Sequence, residues 1–78
     1  MSKTLLTSLR HGNTATIKEL EGGLEFQRRL RSLGVKEGKP LRVVARHSLH
    51  GPIVVEIEHK HIAIGRGMAG KIAVETGQ

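Results

Sequence analysis

Only one segment of this chain, residues 22–38, repeats its apolar residues with the period of an α-helix. Phe26, Leu30 and Leu33 are spaced i, i+4 and i+7, which places them on one face of such a helix. Gly34 follows at once, and glycine commonly ends a helix because it reaches the left-handed conformation without a Cβ penalty. The pattern predicts a helix over about residues 24–33 that packs through this face, because so short a helix is marginal in water alone. We assign a structural role to Phe26, Leu30, Leu33, Gly34 and Gly38.

The rest of the chain is divided into short segments that alternate apolar and polar residues, as strands do. These segments are residues 14–19, 41–46, 53–58, 62–64 and 71–75. We expect Leu41, Val43 and Ala45 to face inward, and Leu20 to mark a bulge or a strand end because it breaks the alternation. Four or five short strands with one inserted helix favour a mainly β fold, a small barrel closed on itself, with Phe26 at its mouth. One short helical turn is expected near residues 67–70.

The size and composition of the chain limit what else it can hold. Its 78 residues leave room for a single core, so residues 1–78 are expected to form one domain. The chain has no cysteine, which excludes disulfides and any cysteine-based zinc site. Its core must therefore rest on aliphatic side chains alone.

No arrangement of residues predicts catalysis. Residues 65–71 fit the G-x-x-x-x-G-K spacing of a phosphate-binding loop, but Ile72 stands where a serine or threonine would bind magnesium. Too few residues follow for the helix that such a loop requires. The glycines of this segment are better explained by a tight connection between two strands. No nucleophile is paired with a base elsewhere, so we expect the protein not to be an enzyme and to require no cofactor.

Histidines offer the main candidates for a metal site. His47 and His50 are three residues apart, and His59 and His61 are two apart, so either pair can place two imidazoles on one ion. All four lie in or beside predicted turns, where histidine is usually solvated. We therefore expect at most weak binding of a transition metal such as Fe²⁺ or Zn²⁺.

The chain is basic, with a net charge of +6 and no aspartate. Such a charge suits an anionic partner, although it also describes an ordinary solvated surface. Nucleic acid is not expected, because Phe26 is the only aromatic residue and no second recognition helix is predicted. An acidic protein partner remains, and the candidate residues that contact it are Arg28, Arg31, Lys36 and Arg66.

The N-terminal residues lack the long apolar core of a signal peptide, and no apolar run is long enough to span a bilayer. We expect a cytoplasmic protein without membrane insertion. The sequence leaves the oligomeric state open.

Several short motifs, read in order along nearly the whole chain, resemble the FeoA family (ferrous iron transport protein A). They include Leu9-x-x-Gly12-x-x-Ala15-x-Ile17 and, as the most specific, Arg29-Leu30-x-x-Leu33-Gly34-Val35-x-x-Gly38. The resemblance implies a free-standing SH3-like barrel with an inserted helix. It also implies a cytoplasmic accessory role in ferrous iron uptake, exerted on the membrane transporter FeoB and its GTP-binding domain. The chain departs from the family pattern at His59, where a glycine often stands in a hairpin turn.

Three hypotheses follow, in order of preference. The first is a non-enzymatic adaptor or regulator that contacts the FeoB transporter. The second is a transition-metal sensor or chaperone that uses the surface histidines. The third is a small barrel that binds nucleic acid, which the shortage of aromatic residues disfavours.

Overall fold

Six antiparallel strands and two helices make up the protein, for which a computed structural model describes residues 4–47 and 50–76. The strands lie side by side in the order β1-β6-β2-β3-β4-β5, and the mainly β prediction is confirmed. In chain order the elements are β1 (Thr4–Leu5), a 3-10 turn (Leu6–Ser8), β2 (Thr14–Leu20), α1 (Leu24–Ser32), β3 (Pro40–Ala45), β4 (Ile53–Ile57), β5 (Lys60–Ile64), α2 (Arg66–Ala69) and β6 (Ile72–Glu75).

A single aliphatic core fills the inside of the curved sheet. On β4 the alternation is obeyed fully, and the side chains of Ile53, Val55 and Ile57 are buried as predicted. No polar or charged residue among those described is buried. Strand β1, which the sequence analysis did not predict, pairs with β6 at one end of the sheet. Among the described residues, no hydrogen-bonded ladder joins β1 to β5, the two outermost strands. Instead, the 3-10 turn that follows β1 contacts helix α2, which follows β5.

Two bulges decide which side chains face the core. In β2 the register with β6 shifts between Ile17 and Glu19, so one extra residue lets Leu20 turn inward. This confirms the expected irregularity near Leu20. In β3 the register with β4 shifts between Val43 and Ala45. The prediction that Ala45 faces inward is therefore wrong, because the bulge reverses the alternation and exposes its side chain.

Helix α1 ends where Gly34 adopts a φ of +97°, as predicted. The amide of Gly34 donates to the carbonyl of Arg31, and that of Val35 donates to the carbonyl of Leu30. This pair of bonds is a Schellman motif, which brings the residue after the glycine against the last turn of the helix. Leu30 and Val35 are both fully buried, so the motif closes the helix with an apolar contact.

The buried face of α1 is narrower than the sequence predicts. Leu30 is buried and Phe26 is partly buried against the core, but Leu33 is 44 % exposed. Leu33 is the C-cap residue, where the chain leaves the helix, and Val35 takes the core position beyond the glycine. The inward assignment of Leu33 is thus corrected in favour of Val35.

Candidate partner-binding surface

Two of the predicted partner-binding arginines lie on the exposed face of α1. Arg28 forms an ion pair with Glu25 at 3.2 Å, one helical turn earlier. Arg31 donates to Glu37 at 2.8 Å and to the side-chain oxygen of Gln27 at 3.2 Å. Both pairs are open to solvent, where such contacts contribute only about 0.2–1 kcal/mol. The arginines are therefore neutralised only weakly and can exchange their partners.

A third arginine on the same helix, Arg29, is exposed and has no hydrogen-bond or ion-pair partner among the described side chains. The Leu30 side chain next to it is fully buried and fixes how the helix sits on the core. The sequence analysis did not select Arg29 because it flanks the predicted apolar stripe. In the helix Arg29 and Arg31 flank the buried Leu30 on opposite sides, because residues two apart do not share a helical face, so Arg29 lies apart from Arg31.

Backbone hydrogen bonds to β2 hold the loop that follows α1. The Gly38 amide donates to the Ile17 carbonyl at 2.8 Å, and the Ile17 amide donates to the Lys39 carbonyl at 2.9 Å, so β2 holds the loop. Gly38 has a φ of +88°, which supports its structural assignment. Lys36, the third predicted contact residue, is exposed on this loop. The α1 surface, defined as Arg28, Arg31 and Lys36, is thus displayed by α1 and the loop that follows it.

Two carboxylates near this region, Glu37 and Glu58, have lowered pKa values. The pKa of Glu37 is lowered mainly by a hydrogen bond from its own backbone amide; desolvation opposes this, and the hydrogen bond and charge of Arg31 lower the pKa further. A hydrogen bond from Lys39 is the main cause of the lowered pKa of Glu58. Each acid is therefore held in its charged form next to a base.

Arg66 is placed differently from the other predicted contact residues. Its side chain is half-buried, and the guanidinium donates to the carbonyl of Gly51 at 2.9 Å and to that of His47. Arg66 therefore links the start of α2 to the loop between β3 and β4. Arg66 thus has a structural role, bridging these two segments, that the sequence pattern does not reveal.

The candidate metal ligands lie in two different turns. His47 and His50 lie in the loop between β3 and β4, whereas His59 and His61 lie at the turn into β5. His59 adopts a φ of +68°, in the left-handed region that favours glycine. Within residues 4–47 and 50–76 no group of three or more histidine and carboxylate side chains could hold a metal ion.

The phosphate-loop-like segment forms a strand connection, as predicted. Its amides are used within α2, where Ala69 donates to the carbonyl of Gly65 at 2.8 Å and Gly70 to that of Arg66 at 3.0 Å. The ammonium group of Lys71 lies 5.3 Å from the centre of the Phe26 ring. Lys71 is thus engaged in a cation–π contact with Phe26.

Comparison with known proteins gives one consistent result. A family model described as the FeoA domain matches residues 4–76. A Methanocaldococcus jannaschii protein named Fe(2+) transport protein A is 33 % identical over 73 residues, which cover 94 % of this chain and 87 % of the relative.

Solved structures agree with this match. The crystal structure of an iron uptake regulatory protein (FeoA) superposes with a TM-score of 0.90 at 26 % identity, covering 97 % of this chain and all of that one. A manganese-dependent transcriptional repressor superposes with a TM-score of 0.87 at 28 % identity, over 96 % of this chain but only 42 % of the repressor. The sheet thus has the SH3-like fold of the FeoA structures. No helix in the described ranges is long and apolar enough to cross a membrane.

Proposed function

The chain belongs to the FeoA family, which is involved in ferrous iron transport, and from this premise we propose that it is a non-enzymatic accessory protein of the FeoB transporter. It acts in the cytoplasm by contact with the transporter's GTP-binding domain. The α1 surface makes this contact.

One observation carries the proposal: α1 presents several cationic side chains on a helix whose position is fixed by the core. Leu30 and Val35 are fully buried and anchor the helix, with its exposed arginines, to the core. Their internal ion pairs are exposed and weak, so an acidic partner can replace Glu25 and Glu37 at little cost. A positive surface of this kind also speeds the encounter with an acidic partner.

Nothing described in the structure supports a competing catalytic role. The described residues contain no buried polar or charged side chain and no cluster that could hold a metal. A contact function needs neither.

Equilibrium binding to the isolated GTP-binding domain of the transporter tests the proposal. We expect Arg28→Glu combined with Arg31→Glu to weaken binding by roughly tenfold at low salt, because two attractive charges become repulsive. The matched control is Lys18→Glu combined with Arg42→Glu, which changes the net charge equally on strands β2 and β3.

The two double variants separate a defined surface from general charge attraction. If both lose affinity equally, the net charge matters and the α1 surface is not the contact. If neither loses affinity, the domain binds through another surface. Thermal melting of each variant verifies that it is folded before its binding is compared.

Direct metal binding is proposed to be weak. The histidine pairs 47/50 and 59/61 supply two ligands each, and two imidazoles alone bind a metal loosely. Titration with Fe²⁺ under anaerobic conditions, followed by the NMR signals of the histidine rings, is expected to saturate only at millimolar ion. Saturation at micromolar Fe²⁺ would instead favour the metal-sensor hypothesis.

A further inference from the structure

Two arginines, Arg10 and Arg46, take no part in the ion pairs described above. Arg10 and Arg46 line a surface hollow of about 450 Å³ together with Thr7 and Ser8. No carboxylate is among the described residues that line it. The hollow therefore combines two positive charges and two hydroxyl groups without an internal counter-ion.

Arg46 is held rigidly at the edge of this hollow. One of its terminal nitrogens, Nη1, donates to the carbonyl of Thr7 at 2.9 Å and also to the carbonyl of Leu9. These bonds join the 3-10 turn to the end of β3 across more than thirty positions of sequence. The other terminal nitrogen, Nη2, takes no part in them. Its Nε also donates to the His47 carbonyl at 3.5 Å, so Nη2 is the nitrogen left to donate a charged hydrogen bond to a carboxylate, from a side chain that is already fixed in place.

Arg10 approaches the hollow from a turn whose backbone is also fixed. Its amide donates to the side-chain oxygen of Asn13 at 2.8 Å, and the Asn13 amide returns a bond to the Arg10 carbonyl at 2.9 Å. The Gly12 amide donates to the carbonyl of Val43 at 2.8 Å, which ties the turn to β3. The Arg10 side chain itself is exposed and has no partner among the described side chains.

Arg46 also lines a second hollow, of about 470 Å³. The β3 bulge shapes it, because the shift in register turns Ala45 to the surface beside the half-buried Val44. Its lining is mainly aliphatic and consists of Val44, Ala45, Pro52 and Val54 with His11, His47 and Arg46. A cationic hollow and an aliphatic hollow thus share Arg46, and together they are called the groove below.

We propose that this groove binds an extended acidic segment of a partner protein. A carboxylate of the segment lies between Arg10 and Arg46, where the Thr7 and Ser8 hydroxyls also donate. An adjacent aliphatic side chain occupies the hollow beyond Arg46. Charge complementarity selects the acid, and the aliphatic lining selects a peptide over nucleic acid, whose bases need aromatic platforms to stack on.

The proposal does not depend on the identity of the transporter partner or on the α1 surface. It can therefore be tested with synthetic probes. We would titrate the full chain with a fluorescent peptide of alternating glutamate and leucine. Two matched peptides accompany it, one with glutamine in place of glutamate and one with serine in place of leucine. A single-stranded oligonucleotide of similar charge and inorganic phosphate complete the set.

We expect the glutamate–leucine peptide to bind more tightly than either matched peptide, and to shift the NMR signals of Arg10, Val44 and Ala45. Arg10→Glu should weaken it by about tenfold or more, because a charged hydrogen bond becomes a repulsion. The matched control is Arg29→Glu, which reverses an equally exposed and unpaired arginine on α1. Arg10→Lys, which keeps the charge, should restore part of the affinity.

Arg10 is exposed, so its variants are expected to remain folded, and thermal melting verifies this independently. Equal loss of affinity in Arg29→Glu and Arg10→Glu would overturn the proposal, since binding would then follow net charge alone. Equal binding of the glutamate and glutamine peptides, or tighter binding of the oligonucleotide than of the peptide, would overturn it as well. Binding of phosphate with no preference for the glutamate–leucine peptide would reduce the groove to a general anion site.

Discussion

Glu56 and Arg42 are direct neighbours across β4 and β3, and the guanidinium donates to the carboxylate at 2.7 Å. This hydrogen bond is the main cause of the lowered pKa of Glu56, to which the charges of His61 and His59 add slightly. We expect Arg42→Gln to raise the pKa of Glu56 towards its ordinary value. Carbon-detected NMR titration of the glutamate carboxyl groups measures it. In the control Arg31→Gln the pKa of Glu56 should stay unchanged; a shift there would show that the effect is not local.

The same lowered pKa values fix the direction in which stability changes with pH. A carboxyl group whose pKa is lower in the folded chain stabilises the fold above its unfolded pKa, near 4.5, and this stabilisation is lost as the pH falls through the folded value. The melting temperature is therefore expected to fall below about pH 4.5, and less steeply in Arg42→Gln than in the unchanged chain. Calorimetry at a series of pH values tests this. Parallel pH curves for the two proteins would mean that the Glu56 pair contributes nothing measurable.

Gly34 shows how a backbone angle, rather than a contact, can control stability. Its φ is +97°, yet a Cβ added there would meet no atom within 4 Å. We expect Gly34→Ala to cost roughly 1–2 kcal/mol through backbone strain alone, and Gly34→Val to cost more because its side chain is branched. The matched control is Gly67→Ala in α2, which also has open space but an ordinary backbone angle. Chemical denaturation of the three variants compares them, and equal loss in all of them would contradict the assignment of strain to Gly34.

At the scale of the element, α1 is held on the sheet by very few side chains. Leu30 is fully buried, whereas Leu24 on the same helix is 75 % exposed. We expect Leu30→Ala to destabilise the domain by about 2–5 kcal/mol, because it leaves a cavity as well as removing buried surface. Leu24→Ala deletes the same side-chain atoms from an exposed position, so it should change the free energy of unfolding little. Denaturant unfolding measures both; similar losses would mean that Leu24 is also packed in solution.

The two bulges mark the limit of what alternation can predict for the strands. In β2 the bulge was detectable, because Leu20 is apolar at a position where the alternation requires a polar residue. In β3 Val43 and Val44 are both apolar, so the sequence offers no local sign of where the extra residue lies. The error at Ala45 follows directly from this ambiguity. The end of α1 was predictable at Gly34, but the inward turn of Val35 depends on a Schellman motif that only the structure reveals.

For the whole molecule, the sequence predicts the sign and the amount of charge but not its pairing. Arg28 and Glu25 could be paired from helical spacing alone. Lys39 and Glu58 are 19 residues apart, and Arg46 reaches the carbonyl of Leu9 across 37. Such partners depend on strand register. For that reason the α1 surface was predictable in part, whereas the groove at Arg46 and the structural role of Arg66 were not.

The overall charge of the molecule also sets how fast it should meet the partner proposed above. With a net charge of +6, attraction to an acidic partner would act before contact and would be screened by salt over about 8 Å at physiological ionic strength. We expect the association rate constant to fall steeply as salt rises, while the dissociation rate changes much less, because exposed charges act mainly on the encounter. Stopped-flow binding at several salt concentrations measures both rates. The double variant Arg28→Glu with Arg31→Glu should show a slower association and a shallower dependence on salt. If salt altered only the dissociation rate, the contact would rest on buried, desolvated groups, and the exposed arginines of α1 would not be the surface that recognises the partner.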